Sequence, residues 1–558
     1  MDGMLLRSVR LVGAPGPRRV RDVLLLGGRV AAVADTGTLD PRGPDGAALT
    51  VLDGAGAALL PGLVDAHVHL ADWAADRRRP DVSGARSPEE AAALLAAADA
   101  ERGRRDDVLV GRGFRDGLWP TSPRAHHLDA ALPGRAVVVA SQDLHSAWCS
   151  TEAARRFGLG DGHPGLLVEG AAMALLGDAG AVPPEVGDAW VLGAAQDAAA
   201  RGTTALVDLQ RAPVEDWVRR AGADRPAADG AEPGTGPALR VAVGVWREHL
   251  DDVLAAGLRS GDPLPGVHDP VAADRVRLGP LKLFVDGSLG TRTAWCSCAY
   301  ARTGVGGRDS TGLGGRDGTG AGERDGTGAG GRDGTGVGGV EPRDHHGMLL
   351  LPPDELEALL RRATSAGLAT AVHAIGDAGV RTALDAYETA GCRGRVEHAQ
   401  QVLPEDLPRF AALGVTASVQ PRHAVDDRDL ADLHWAGATD RAFPYAALLA
   451  AGADVVLGSD APVAPLDPWD ALASALHRTL DDRPAWHPEQ HLTLAQALAA
   501  SCGGRPHVRV GDVADLVLLA EDPADVVARR GPAALREPEV LGTLVGGRWT
   551  HRAAALRG

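Results

Sequence analysis

Two histidines separated by one residue end an apolar run near the start of the sequence, in Pro61-Gly-Leu-Val-Asp-Ala-His-Val-His69. On a β-strand, alternate side chains share a face, so His67 and His69 would point the same way. Imidazole nitrogens are common ligands of zinc and similar divalent metals. The spacing therefore predicts a metal site at the end of a strand, although an isolated His-x-His pair is also compatible with two histidines on a sheet edge.

Further polar residues lie within or at the end of apolar, strand-like runs, namely Lys282, His373, His398 and Asp460. Lys282 stands between two leucines, and an ammonium group is costly to bury among such apolar neighbours. Taken singly, the lysine could be a snorkelling surface residue and each histidine a hydrogen-bonded core residue. Those separate interpretations do not account for six polar residues at strand ends, so the set predicts a metal centre.

The elements that would position these residues alternate along the middle of the chain, with apolar β-like runs followed by Ala/Leu-rich helical stretches. Such alternation favours a parallel sheet with helices outside, and the carboxyl ends of barrel strands form the active-site mouth. The candidate strands are residues 136–140, 203–208, 238–245, 281–285, 368–373, 394–397, 415–419 and 455–458. The candidate helices are residues 87–102, 352–366, 379–390 and 492–500.

Both chain ends have a different texture from the middle. Residues 1–60 and 506–558 contain short apolar runs separated by Gly, Pro and Asp, which predicts small β modules that could pair into one sheet. Residues 61–505 would then form the central domain. The segment from about 75 to 190 is longer than one crossover requires, so we expect an inserted subdomain there.

Residues 306–337 consist of four octads, GGRDSTGL, GGRDGTGA, GERDGTGA and GGRDGTGV. They contain abundant Gly and almost no core-forming residues, so the sequence predicts a disordered loop expansion. A calcium-binding β-roll is the alternative, but it uses nonapeptides with an apolar residue in each repeat. The period of eight, and Ala in the corresponding slot, favour the loop.

Composition limits the class of function. The 558 residues are 45 % hydrophobic and carry a formal net charge of −17, which argues against nucleic acid or an anionic membrane as partner. Five scattered cysteines give no disulfide framework, and Cys296-x-Cys298 lacks the second pair of a four-ligand zinc site. Neither a secretory leader nor a run of ~20 apolar residues is evident, so we expect a cytoplasmic protein.

The order His-x-His, Lys, His, His, Asp resembles the ligand sequence of the binuclear amidohydrolase superfamily. The words KLFVDGSLGTRTA, HAIGD, RVEHAQ, ASVQPRH and GSDAPV are similar to those of the YtcJ-like amidohydrolases (amidohydrolase family 3), the relatives of N-substituted formamide deformylase. The resemblance runs through nearly the whole chain. Two departures are the octads and the compressed segment 501–509, and neither removes a ligand.

The resemblance implies an α/β fold: a TIM-type (β/α)8 barrel with a small β-sandwich domain formed from both chain ends and an inserted subdomain after barrel strand 1. It also implies two divalent metal ions, zinc foremost and manganese or iron as alternatives. His67 and His69 would bind one ion and His373 and His398 the other, with carboxylated Lys282 as the bridge. Asp460 would be both a metal ligand and the general base.

The implied reaction is cleavage of a non-peptide, amide-type carbon–nitrogen bond of a small molecule by metal-activated hydroxide, with Asp460 passing the proton to the leaving amine. Three residues are candidate substrate contacts in this comparison. Arg292 would meet an anionic group, with a loop salt bridge as the alternative, and His423 and His145 match pocket residues. The substrate itself and the oligomeric state, including a homo-oligomer, stay open.

Two other functions remain as alternatives. A mononuclear deaminase of the same superfamily would carry a glutamate three residues beyond the strand-5 histidine, where this chain has Gly376, with Asp377 one residue later. Lys282 would also have no role in a one-metal site. A catalytically inactive scaffold would be marked by lost ligands, and none of the six is missing.

Overall fold

The computed structural model describes residues 3–16, 19–44, 46–103, 107–160, 162–225, 234–301 and 345–556. The octads at 306–337, for which the sequence predicts a loop expansion, lie outside the described residues. By its internal contacts the chain divides into two compact units. The first contains the chain up to Arg79, Gly180–Ala299 and the chain from His346 onward, and the second contains Pro80–Ala179 with Tyr300 and His345.

The strands follow in chain order, as β1 Gly3–Leu11, β2 Val20–Leu26, β3 Arg29–Asp35, β4 Thr50–Asp53, β5 Ala58–Pro61, β6 Leu63–Val68, β7 Leu109–Phe114, β8 Val137–Ser141, β9 Ser146–Cys149, β10 Leu166–Val168, β11 Thr203–Asp208, β12 Arg240–Trp246, β13 Val276–Phe284, β14 Thr370–Ala374, β15 Arg395–His398, β16 Thr416–Val419, β17 Val455–Leu457, β18 Leu516–Leu519, β19 Val540–Val545 and β20 Arg548–Arg552.

The α-helices are α1 Leu70–Asp76, α2 Pro88–Arg102, α3 Ala125–Ala131, α4 Thr151–Arg156, α5 Glu169–Ala179, α6 Pro184–Ala200, α7 Glu215–Gly222, α8 Leu250–Ala255, α9 Pro270–Arg275, α10 Pro353–Ser365, α11 Asp377–Ala390, α12 Leu407–Leu413, α13 His423–Asp426, α14 Arg428–His434, α15 Tyr445–Ala450, α16 Pro468–His477, α17 Leu494–Ser501 and α18 Pro523–Arg530. Among the helices of the described ranges, none is long and apolar enough to cross a membrane.

Eight parallel strands form the central sheet, in the order β17-β16-β15-β14-β13-β12-β11-β6. Backbone hydrogen bonds connect the two outer strands of this sheet at their carboxyl ends, from the His69 amide to the Ala461 carbonyl (2.8 Å) and from the Asp460 amide to the His67 carbonyl (2.7 Å). The strands are rich in Val, Leu and Ala because parallel strands are buried on both faces. The predicted TIM-type barrel is confirmed.

A second eight-stranded sheet combines both chain ends, in the order β20-β19-β18-β5-β1-β2-β3, with β4 pairing β1. Strand β5 runs antiparallel to β18, and β1 changes partner from β4 to β5 past a bulge between Leu6 and Val9. Bulges and changes of sheet partner make the corners of two-layered β structures. A shared core of Leu6, Leu59, Leu518 and Trp549 confirms that the ends build one β module.

The second unit contains a four-stranded sheet in the order β10-β9-β8-β7. In sequence it falls between β6 and β11, the first two barrel strands, which confirms an insertion after barrel strand 1. The candidate strand at 136–140 is real, as β8, but it belongs to this inserted sheet and not to the barrel. The domain bounds 1–60, 61–505 and 506–558 stay predictions.

Candidate metal centre

The six predicted metal ligands lie at one rim of the barrel, where the carboxyl ends of its strands meet. His67 lies in β6 and His69 directly beyond it, while Lys282, His373 and His398 lie in β13, β14 and β15. Asp460 follows β17 by three residues. Because all these strands are parallel, their carboxyl ends meet at the same end of the barrel.

His67, His69 and Asp460 form the first group that could hold a metal ion. The Nε2 atoms of His67 and His69 each lie 3.3 Å from Oδ1 of Asp460. Backbone hydrogen bonds between β6 and the segment after β17 fix this approach, since they join the residues that carry the side chains. Two imidazoles and one carboxylate are an ordinary donor set for zinc and similar ions.

His398, His423 and Asp460 form a second group. Oδ2 of Asp460 lies 4.0 Å from Nδ1 of His398 and 3.7 Å from Nε2 of His423. The two carboxylate oxygens of Asp460 therefore face different groups. His423, which the resemblance indicated as a substrate contact, lies beside Oδ2 of Asp460 at the start of α13.

The second group also contains buried nitrogens without a partner. Nδ1 of His398 and Nε2 of His423 have no hydrogen-bond partner among the described residues, although both side chains are buried. Buried polar atoms are nearly always hydrogen-bonded, and an unpaired one calls for an explanation such as a bound ion. The donor set therefore fits a divalent metal.

Lys282 is the single lysine in the sequence; every other side chain of the 57 Lys and Arg residues is an arginine. It is 1 % exposed, and its Nζ lies 3.5 Å from Nε2 of His67 and 4.8 Å from the ring centre of Phe284. Burial lowers the pKa of Lys282 to about 8. An amine can become neutral and react at this position, whereas an arginine could not.

His373 is adjacent to the second group without being one of its members. Its ring centre lies 4.4 Å from that of His398, and the ring stacks on Phe284 at 4.5 Å. Its Nε2 lies 3.1 Å from the carbonyl oxygen of Gly287. A hydrogen on Nε2 that is donated to this carbonyl places the ring's lone pair on Nδ1.

Glu397 is a functional residue that the sequence did not indicate. Its Oε2 lies 2.7 Å from Nδ1 of His67, and its Oε1 lies 2.5 Å from Nε of Arg395. Burial would raise the pKa of Glu397, but the charge of Arg395 and the contact with His67 lower it to about 2. The carboxylate therefore stays ionised and fixes the His67 tautomer with Nε2 facing the centre.

The protonation states suit metal binding at neutral pH. Burial, with Lys282 nearby, lowers the pKa of His67 to about 4, and burial together with His373 lowers the pKa of His398 well below its usual value. Burial alone would raise the pKa of Asp460, but His67 and the hydrogen bond from His69 hold it well below its usual range. Neutral imidazoles and an ionised carboxylate are the forms that coordinate metals.

Two of these residues have unusual backbone conformations. The φ angles of His398 and Asp460 are 75° and 57°, in the left-handed region that residues with a Cβ seldom adopt. Such conformations persist where the surrounding structure imposes them, and they concentrate at active sites and ligand-binding positions. The backbone therefore sets the direction of both side chains at the barrel rim.

The structure does not group Arg292 and His145 with the six residues. Arg292, with a φ of 59°, lies close enough to His434 that its charge adds to burial in lowering the pKa of that histidine to about 4. His145 belongs to the second unit, where its Nδ1 lies 2.8 Å from Oε2 of Glu169. Their roles as substrate contacts stay predictions.

One protein family and two known proteins match most of this chain in sequence. Residues 50–551 match the amidohydrolase family. The chain is 25 % identical over 570 residues to Protein LONG AFTER FAR-RED 3 of Arabidopsis thaliana, covering 93 % of this chain and 86 % of that one. It is 25 % identical over 530 residues to the putative amidohydrolase YtcJ of Bacillus subtilis (strain 168), covering 88 % of each.

The fold has a solved counterpart in an uncharacterized metal-dependent hydrolase from Pyrococcus horikoshii OT3. The TM-score is 0.69 at 21 % identity, and the match covers 94 % of this chain and 98 % of the other. The match to the family extends over most of the sequence and includes every residue of the candidate metal centre. The chain therefore belongs to the amidohydrolase family and is a hydrolase that acts on carbon–nitrogen bonds.

Proposed function

We propose that the protein is a metal-dependent hydrolase that cleaves a non-peptide, amide-type carbon–nitrogen bond of a small molecule, with two divalent metal ions, zinc foremost, as cofactors. The observation that carries this proposal is the sharing of Asp460. Its Oδ1 faces the proposed ligands His67 and His69, and its Oδ2 faces the proposed ligand His398, with His423 beside it as the proposed substrate contact. This arrangement provides donors for two adjacent cations.

A divalent ion held by these residues would supply a bound water of lowered pKa and a positive charge that polarises a substrate carbonyl. The protein's own side chains contribute proton transfer and the orientation of the metal ligands. Asp460 is ionised near neutral pH, so its carboxylate can accept a proton and return it to the leaving amine. Glu397 holds the His67 ring in position throughout.

We propose that Lys282 is carboxylated, and its carbamate would then serve as a ligand shared by the two ions. The neutral Nζ adds to the carbon of carbon dioxide and releases one proton, which leaves an anionic carbamate. Its burial beside His67 supports this assignment, because an uncompensated ammonium among candidate metal ligands would be costly. His373 is proposed as a ligand through Nδ1, next to His398.

We propose Arg292, His423 and His145 as substrate contacts, and a small amide-type molecule as substrate in the cytoplasm. The position of His423 beside Asp460 supports a contact near the reacting bond. Neither nucleic acid nor a membrane is proposed as a partner, and a homo-oligomer is compatible with this assignment.

The deaminase alternative receives no support from Asp377, the carboxylate nearest the position of the expected proton shuttle. Its Oδ1 accepts a hydrogen bond from the Ser297 amide (2.6 Å), and its Oδ2 lies 2.8 Å from Arg441. A carboxylate engaged in this way is a structural group at the start of α11 and is poorly suited to moving protons.

A hydrolysis screen tests the proposed function. Purified protein supplied with zinc or manganese is offered N-formyl, N-acyl and cyclic amides, and amine release is measured. Asp460→Asn should lower turnover of any accepted substrate by ~10²–10⁴-fold, the usual contribution of a general acid–base group. Asp454→Asn, which changes an exposed aspartate just before β17, is the matched control and should keep full turnover. Equal activity of the two variants would contradict the role of Asp460.

A further inference from the structure

A cavity of about 630 Å³ lies against the barrel away from the metal centre. Barrel strands β6, β11 and β12 contribute apolar residues to its wall, including Val64, Ala205, Val207 and Ala242. The other side comes from the end of α9 and the start of β13, from Arg29 at the start of β3 and from the segment that leads into β18. None of the candidate metal ligands lines it.

The charged lining of this cavity is mainly basic. Five arginines and three aspartates line it, namely Arg29, Arg240, Arg275, Arg277, Arg505, Asp274, Asp512 and Asp515. The lining thus has two more positive than negative charges, in a chain with a formal net charge of −17. A concave basic surface on an acidic protein concentrates anions.

Two of the aspartates are already engaged by a single arginine. Nε of Arg240 lies 2.7 Å from Oδ2 of Asp515, and its Nη1 lies 2.7 Å from Oδ2 of Asp274. Asp274 also accepts a hydrogen bond from Arg277 at 3.3 Å. These two carboxylates are therefore already paired with Arg240 and Arg277. They neutralise little of the positive charge on the other arginines of the lining.

Arg275 is the basic group that lacks a counter-ion. It is 5 % exposed, and its Nη1 donates a hydrogen bond to the carbonyl oxygen of Pro237 at 2.9 Å. No carboxylate among the described residues forms an ion pair with it. Burial and the charges of Arg225, Arg240 and Arg548 lower the pKa of its guanidinium to about 10, against the weaker opposing charge of Asp515. Buried charges are normally paired, so this one lacks its partner.

We propose that this cavity binds an organic anion, with an apolar body on the barrel wall and an oxyanion head group, carboxylate or phosphate, on Arg275. The planar guanidinium matches the geometry of either head group and can bind it through two parallel hydrogen bonds. A cavity of this volume is in the range that takes a small molecule with a body, not only an inorganic ion. The site is separate from the hydrolytic reaction.

Isothermal titration of the full-length, metal-loaded protein tests the proposal. Octanoate and octyl phosphate are the anionic probes and differ in head group, octanol is the neutral probe of equal chain length, and inorganic phosphate lacks the apolar body. We expect octanoate, octyl phosphate or both to bind with one site per chain, and octanol and inorganic phosphate to bind at least tenfold more weakly. Equal binding of octanol and the octyl anions, or of inorganic phosphate and the octyl anions, would overturn the proposal, as would no binding of either octyl anion.

Substitutions then locate the site. Arg275→Met should lower the affinity for the octyl anion at least tenfold and leave the melting temperature in anion-free buffer unchanged or higher, because it removes an uncompensated buried charge. Arg135→Met is the matched control: this arginine is 4 % exposed but paired with Asp99 and Asp107, so it should melt lower and keep the affinity.

A second variant covers the case in which Arg275→Met does not fold. Arg29→Gln changes an exposed arginine of the cavity wall that donates to the Gly511 carbonyl at 2.9 Å, so its folding should be unaffected. We expect it to weaken binding of the octyl anion several-fold. Unchanged affinity in every folded variant among Arg275→Met and Arg29→Gln would show that the anion binds elsewhere and would refute the proposal.

Discussion

At the scale of single residues, the metal centre depends on side chains that need not touch a substrate. Glu397 was not predicted from the sequence because its role requires β15 and β6, which are separated by β16 and β17 in the barrel, to bring their carboxyl ends to the same rim. The hydrogen bond to His67 joins residues 330 positions apart. His67 and His69 could be predicted because strand periodicity alone places both on one face. Local spacing predicts ligands better than it predicts the groups that orient them.

Replacing Glu397 by Gln tests this orienting role. The amide keeps the shape but removes the charge that fixes the His67 tautomer, so affinity for zinc should fall by about 10–100-fold, as is common for such outer partners. Competition with a chelating dye measures the affinity. Glu388→Gln, which changes an exposed glutamate paired with Arg409, is the control and should bind zinc normally. Equal zinc affinities in the two variants would show that Glu397 does not orient His67 for metal binding.

The single lysine makes carboxylation directly observable. In the presence of ¹³C-labelled carbon dioxide, the native protein should show a carbamate carbon signal in its NMR spectrum that disappears in Lys282→Ala. That variant should be inactive and should regain part of its turnover with added short carboxylic acids, which can occupy the bridging position. A native protein with full metal content and no lysine carbamate signal would contradict the bridge.

His434 should make stability depend on pH. Burial and Arg292 lower its pKa from 6.5 to about 4, so between these values the unfolded chain binds the proton more readily than the folded one. Stability contributed by neutral His434 is present above pH 6.5 and is lost as the pH falls toward 4, by at most about 1.4 kcal/mol per pH unit. Denaturant unfolding at pH 5 and 7 should show a smaller pH difference in His434→Gln than in His268→Gln, an exposed control. An identical difference in both would refute it.

At the scale of elements, an apolar run predicted the position of a strand correctly where that strand is buried on both faces. The run predicted at 203–208 coincides with β11, Thr203–Asp208. The run at 136–140 is also a strand but belongs to the inserted sheet, because five apolar residues indicate local conformation and not the partner strand. Strand β4, with three of its four side chains exposed, has no apolar periodicity by which it could be predicted.

Gly458 tests whether the closure of the barrel positions the centre. A Cβ at this glycine would lie 2.7 Å from the backbone nitrogen of His67 and 2.9 Å from its Cβ, so Gly458→Ala must push β17 and β6 apart. We expect lower zinc affinity and lower turnover, measured by dye competition and by the amide assay. Gly193→Ala in α6 adds a Cβ that meets nothing within 4 Å, so it should be neutral or slightly stabilising. Normal zinc binding by Gly458→Ala would show that the close approach of β17 and β6 does not position the metal centre.

At the scale of the whole chain, the two ends support the start of the barrel. Strand β5 pairs with β18, and the Gly62 amide donates to the Asp515 carbonyl at 2.8 Å directly before β6 begins. The strand that carries His67 therefore continues from a sheet that needs both termini. The texture of the two ends indicated that they could pair into one sheet, and the resemblance implied the module. The particular pairing between residues more than 450 positions apart is not contained in the local pattern of either end.

The central claim is that this rim of the barrel holds divalent metal, and elemental analysis of the purified full chain tests it most directly. After supplementation with zinc and removal of unbound ions, we expect close to two ions per chain. The double variant His67→Ala/His69→Ala should lose metal while its circular dichroism is retained, and His268→Ala, an exposed control, should keep both ions. One ion per chain would contradict the two-metal site, and a metal-free native protein would contradict the account as a whole.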